Sequence, residues 1–130
     1  MTHGTNLLLT VRHPADSLAV VTVSGELDVD TAPELRTKAT ELIGQGCPHV
    51  VLDMAPVEFC DSSGLNALIA IVQHAHERGG SLSVAAAPDQ LTRLLDMTGV
   101  GDLMPVYAHV DEAVAHLGRT ATATEDTLDA

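Results

Sequence analysis

The chain has 130 residues, of which 45% are hydrophobic, enough for one globular domain with a real core. Its 18 acidic and 6 basic residues leave a formal charge of −12, and Phe59 and Tyr107 are its only Phe, Tyr or Trp residues. Nucleic acid and anionic membrane surfaces, which call for basic patches and stacking rings, are therefore excluded as expected partners, and a basic or mixed protein surface suits this charge better.

Leu7 to Arg12 alternates apolar with mixed residues and predicts a first strand, broken by Pro14-Ala15-Asp16-Ser17. The valine-rich run Leu18 to Ser24 predicts a second strand, antiparallel to the first, after which Gly25-Glu26-Leu27-Asp28 is expected to leave the sheet. Thr31 and Pro33 open a helix whose apolar stripe is Ala32, Leu35, Ala39 and Leu42, and Gly44 and Gly46 end it. His49 to Met54 carries Val50, Val51 and Leu52 without alternation, the mark of a central strand. A second helix follows Asp61-Ser62, with Leu65, Leu68, Ile69, Val72, Ala75 and His76 on one side and Asn66, Ala70, Gln73 and Glu77 on the other. Arg78-Gly79-Gly80 closes it.

Leu82, Val84 and Ala86 alternate in the next strand, and Pro88-Asp89 opens a helix carrying Leu91, Leu94 and Leu95 that ends near Gly99 and Gly101. Met104 to Tyr107 predicts a short strand and Val110 to Leu117 a last helix, with Arg119 to Ala130 a loose polar tail. Helices alternating with strands after an opening hairpin imply an α/β domain with a mostly parallel sheet and right-handed crossovers.

Cys47 and Cys60 are too few for a disulfide framework or a metal cluster and read as reduced, buried residues. Met1 to Asn6 has neither the basic nor the apolar region of a signal peptide, and no apolar run approaches a membrane span. A cytoplasmic location without direct membrane insertion is expected.

The segment Asp61-Ser62-Ser63-Gly64 lies between a buried strand and a helix start. A serine hydroxyl there meets unpartnered N–H groups and the positive end of the helix dipole, a place that tolerates phosphate and suits a modification switch. Asp61 or Ser62 can equally be a plain helix cap. Asp28, likewise, is either a cap for the Thr31 helix or, if its strand runs parallel to the central one, a carboxylate near Ser62.

No Gly-x-Ser-x-Gly elbow, P-loop or Gly-x-Gly-x-x-Gly is present, so hydrolase and nucleotide chemistry have no support. His74 and His76 point in different directions on a helix, and the other five histidines are scattered, so no metal site is expected. The face of Asn66, Ala70, Gln73 and Glu77, interrupted by Ala67 and Ala70, is either a solvated surface or a docking face that lets a partner backbone approach closely.

In order, Val21-Thr22-Val23-Ser24-Gly25-Glu26-Leu27-Asp28, Thr31-Ala32-Pro33-Glu34-Leu35-Arg36, Val50-Val51-Leu52-Asp53-Met54, Phe59-Cys60-Asp61-Ser62-Ser63-Gly64-Leu65 and Leu94-Leu95-Asp96-Met97-Thr98-Gly99-Val100 resemble the STAS family of anti-sigma factor antagonists. The resemblance implies a STAS-like domain over residues 7–117 with helices chiefly on one sheet face, and leaves outside it an N-terminal extension over 1–6 and a tail over 118–130 expected to be flexible. It implies a non-enzymatic module, needing no cofactor or metal, that binds an anti-sigma factor when unphosphorylated. That partner is a serine kinase with a histidine-kinase-like ATP-binding fold. It would phosphorylate Ser62, with Ser63 the less favoured acceptor, and so release the antagonist; a protein serine phosphatase would reverse this. Asp28, Asp61, Ser62, Ser63, Asn66, Ala70 and Gln73 are the partner-binding residues so implied. Asn66 and Cys60 depart from the family pattern, where glycine and a larger aliphatic residue are frequent. The alternative is a scaffold or accessory subunit of the same fold in a stress-signalling or lipid-transport assembly.

Overall fold

The hairpin expected from the first two apolar runs is longer than their composition suggests. In the computed structural model, which describes residues 7–117, β1 (Leu7–Ala15) pairs antiparallel with β2 (Leu18–Leu27) across a turn at Asp16-Ser17. The expected extension over 1–6 and tail over 118–130 lie outside the described residues. The ladder shifts register between Arg12 and Ala15, at Pro14. A proline cannot donate to a ladder, and it is accommodated because β1 is an edge strand.

β3 (His49–Asp53) runs parallel to β2, from Leu18↔His49 to Thr22↔Asp53. β5 (Ser81–Ala85) joins β3 in parallel, and β6, only Val106–Tyr107 of the expected Met104–Tyr107 run, joins β5. Gly25-Glu26-Leu27 does not leave the sheet. It continues β2 and pairs in parallel with β4 (Val57–Cys60), a strand not expected from the sequence. The four residues of β4 are buried only at Val57 and Cys60, so the segment shows no alternation. The sheet order is β1-β2-β3-β5-β6, with β4 beside the far end of β2.

Among the described residues four α-helices flank this sheet: α1 (Ala32–Gly44), α2 (Ser62–Glu77), α3 (Asp89–Thr98) and α4 (residues 110–117). The larger core lies under α1, α2 and α3, where Leu35, Leu42, Leu68, Ile71 and Leu91 pack with Val21, Val23, Leu52 and Val84. On the opposite face Ala113 of α4, with Val110 and Val114, covers Leu18, Val20, Val51 and Ala85. Helices therefore lie chiefly on one face, as expected.

That second, smaller core changes the reading of β5: Leu82, Ser83, Val84 and Ala85 are all buried, because both faces of the strand are covered. Ala86 lies beyond the strand in the left-handed region, with φ 54°. The buried Ser83 hydroxyl has no hydrogen-bond partner among the described residues.

The buried arc of α2 is wider than the stripe expected for it. Gly64, Leu65, Ala67, Leu68, Ile71, Val72 and Ala75 are buried, whereas His76 is exposed and Ile69 only half-buried. Ala67 does not belong to an open docking face, since α2 packs against α1 as well as the sheet. After α2 the chain turns at Gly79, with φ 74°, and a Cβ on Gly80 would stand 1.9 Å from the Pro48 carbonyl oxygen. Only glycine lets β5 start that close to the segment entering β3.

Candidate functional site

The last pairs of the β2–β4 ladder are Glu26↔Phe59 and Leu27↔Cys60, and the Asp61 N–H donates to the Leu27 carbonyl at 3.2 Å. Two neighbouring strands thus deliver Asp28 and Asp61 to the same rim, where the N-termini of α1 and α2 begin.

Asp61 is the N-cap of α2. Its backbone is extended, with φ −109° and ψ −166°, and its Oδ1 accepts the Ser63 N–H at 2.8 Å while its carbonyl accepts the Gly64 N–H at 3.0 Å. The cap is therefore supplied by the carboxylate. Ser62 is the first helical residue, exposed, and its hydroxyl makes no hydrogen bond with the described residues. Of the two roles open to these residues, Asp61 takes the cap and leaves the Ser62 hydroxyl unengaged.

The start of α2 rests directly on the strand ends. A Cβ on Gly64 would stand 2.6 Å from Cys60 Sγ and 2.9 Å from Leu27 Cδ2, so a side chain there would push the helix off β2 and β4. Cys60 is buried, and its thiol is pushed up to about 11 by burial first and by the charge of Asp61 second. It is neutral at physiological pH and offers no thiolate nucleophile.

Asp28 closes the loop into α1. Its Oδ1 accepts the N–H groups of Asp30 at 2.9 Å and Thr31 at 3.1 Å. The Thr31 hydroxyl accepts the Asp28 N–H at 2.9 Å and donates to the Glu26 carbonyl at 2.7 Å. This carboxylate oxygen is thus engaged by backbone N–H groups, although its residue shares the rim with Asp61.

Ser62 and Ser63 open onto different grooves. Ser62 lines a space of about 320 Å³ between the end of β4 and α3, together with Phe59, Gln90, Arg93, Leu94 and Met97. Ser63 lines one of about 220 Å³ between α1 and α2, with Val29, Pro33, Arg36 and Asn66. Asn66 is exposed, and so joins Ser63 rather than Ser62. Exposed Gln73 and half-buried Ala70 lie further along α2 and line neither groove.

Sequence reasoning missed the apolar and basic surroundings of the serines. Val29 is 70% exposed, Phe59 40% and Met97 75%, and Phe59 and Met97 line the Ser62 groove together. Gln90, Arg93, Leu94 and Met97 follow the 0, 3, 4, 7 spacing of one helix face. That signal was available, but Leu91 and Leu95, which are buried, account for the inward face of α3 and drew attention from its neighbour. Among the described residues no helix is long and apolar enough to cross a membrane, and no group of three or more His, Cys, Asp or Glu side chains is placed to hold a metal ion.

The chain is similar in sequence and fold to known proteins. The family model of the STAS domain matches residues 9–113. The chain is 34% identical over 113 residues to the anti-sigma F factor antagonist of Paenibacillus polymyxa, covering 86% of this chain and 96% of that one. It is 33% identical over 94 residues to the anti-sigma-B factor antagonist of Bacillus subtilis (strain 168), covering 72% and 85% respectively. The crystal structure of an anti-sigma factor antagonist from Mycobacterium paratuberculosis superposes with a TM-score of 0.76 at 29% identity, over 89% of this chain and 97% of that one.

Proposed function

The chain belongs to the STAS domain family, and from that premise we propose that it is an anti-sigma factor antagonist switched by phosphorylation of Ser62. The observation that carries this reading is the division of labour at the start of α2. Asp61 caps the helix, so the exposed Ser62 hydroxyl is unengaged and its modification removes no structural bond. The names of the P. polymyxa and B. subtilis relatives support the antagonist role.

In this reading the unmodified chain docks a cytoplasmic anti-sigma factor, a serine kinase with a histidine-kinase-like ATP-binding fold. Asp28, Asp61, Ser62, Ser63, Asn66, Ala70 and Gln73 contribute to the contact, with the exposed Val29, Phe59 and Met97 as apolar anchors. The chain itself performs no chemistry. Within the complex, Ser62 Oγ attacks the γ-phosphorus of the kinase's ATP. An Oγ–P bond forms, the bond to ADP breaks, and the hydroxyl proton passes to a base on the kinase.

The product carries about two negative charges beside Asp61. Holding that group in a dry interface costs several kcal/mol unless new partners appear, and about 1.4 kcal/mol already weakens binding tenfold. The complex separates, and a protein serine phosphatase returns the chain to its docking form. Ser63 is the weaker acceptor because it is half-buried where Ser62 is exposed, and it faces the other groove.

The test is a pulldown from host cells with wild type, Ser62→Ala and Ser62→Asp, with mass spectrometry of bait and captured proteins. The expected result is phosphate on Ser62 of the wild type, and a kinase retained by the alanine form and lost by the aspartate form. Capture of one assembly by all three, with no phosphate on the bait, would replace the switch with a scaffold role.

A further inference from the structure

The geometry points to Arg93 as the receiving group for a phosphoryl group on Ser62, so that α3 holds the modified serine through an ion pair within this chain. The inference rests on the reading of Ser62 as the modified residue and adds the residue that meets the phosphate. Gln90 Oε1 accepts the Cys60 N–H at 3.2 Å, tying the first turn of α3 to the strand that delivers Asp61 and Ser62. Arg93 follows Gln90 by three residues, one turn along the same helix face, and lines the groove onto which Ser62 opens.

Nothing else claims this guanidinium. The ion pair recorded among the described residues joins Lys38 and Glu41, so neither Asp89 nor Asp96, one turn away on α3, pairs with Arg93. Its groove contains one other charged residue, Asp61, whose Oδ1 is held by the Ser63 N–H, and Cys60, whose thiol is neutral. In a chain of net charge −12 this arginine carries no ion pair among the described residues, yet it lines the same groove as the one hydroxyl proposed to gain a phosphate.

A phosphate monoester offers three acceptor oxygens that match the guanidinium fork, and the long arginine side chain reaches across an open groove without moving the backbone. The pair would also take Arg93 out of the docking surface. Loss of a basic contact would then accompany the gain of negative charge. Ser63 provides an internal control, since its groove holds Arg36 instead.

The test uses the full chain with phosphoserine installed at position 62 during translation, followed by phosphorus NMR across the second ionisation of the phosphate. With Arg93 present that ionisation should lie about half a pH unit below its position in Arg93→Gln, the size of a partly exposed ion pair, and Arg93→Lys should recover part of the difference. Phosphoserine installed at position 63 should not respond to Arg93→Gln. Identical phosphorus titrations of phosphoserine 62 with and without the arginine would overturn the inference. An equal response from position 63 would overturn it too, by showing a general field effect. Because no kinase is used, an unphosphorylated Ser62 in the host counts against the proposed function alone.

Discussion

Aspartate and serine are both good helix caps, and at the start of α2 the fold gives them separate tasks. Asp61 turns its carboxylate onto the Ser63 N–H, and Ser62, one residue on, is turned outward. Beneath them Cys60 carries a consequence for pH. Its thiol pKa is raised from 9.0 to about 11, so the folded chain keeps a proton that the unfolded chain gives up first. Stability from this source is complete below pH 9 and is lost as pH rises toward 11. The full shift is worth about 3 kcal/mol, which partial solvent screening reduces to about 1–2 kcal/mol. Urea unfolding of wild type and Cys60→Ala at several pH values should show the wild type losing its advantage over the variant across this window. Parallel curves would contradict the assignment. The capping preference that suggested Asp61 or Ser62 was legible in the sequence, but which of the two caps depends on backbone angles at Asp61 that composition does not encode.

At the scale of elements, the turn into α1 shows the same economy. The Asp28 carboxylate gathers the N–H groups of Asp30 and Thr31, while the Thr31 hydroxyl bridges Asp28 and Glu26. Asp28→Ala should lower stability by about 1 kcal/mol, the usual loss of a hydrogen-bond acceptor that organises a turn, seen as a lower urea midpoint with an unchanged slope. An unaltered midpoint would mean that Asp28 serves binding alone. The helices α1, α2 and α3 were readable because their apolar residues repeat locally at 3.6-residue spacing. β4 was not, because four residues buried only at their ends have no period to detect. The same gap misdirected Gly25-Glu26-Leu27, whose place in the sheet depends on that strand. In β5 the apparent alternation dissolved once α4 covered its second face.

Over the whole molecule, the charge of −12 bears on partners more than on folding. Association of the Ser62→Ala form with its captured partner should slow severalfold as salt rises from about 0.05 to 0.2 M, measured by stopped-flow, because screening shortens the reach of the acidic field. A salt-independent rate would indicate apolar contacts alone, centred on Phe59, Met97 and Val29. These side chains and Arg93 surround the serines on surfaces drawn from the end of β4, the entry to α1 and the outer face of α3.

The sequence by itself determined the domain class, the antiparallel opening, the order of helices and strands, and the serine to examine, because periodicity, turn chemistry and a contiguous motif are local properties. Only the tertiary structure decided that Asp61 rather than Ser62 makes the cap, that Ser62 and Ser63 face separate grooves, and that Arg93 shares the groove of Ser62. Those facts depend on the Leu27↔Cys60 register and on the Gln90 bond that ties α3 to β4. Both join residues about thirty positions apart, a separation at which local pattern carries no information about contact.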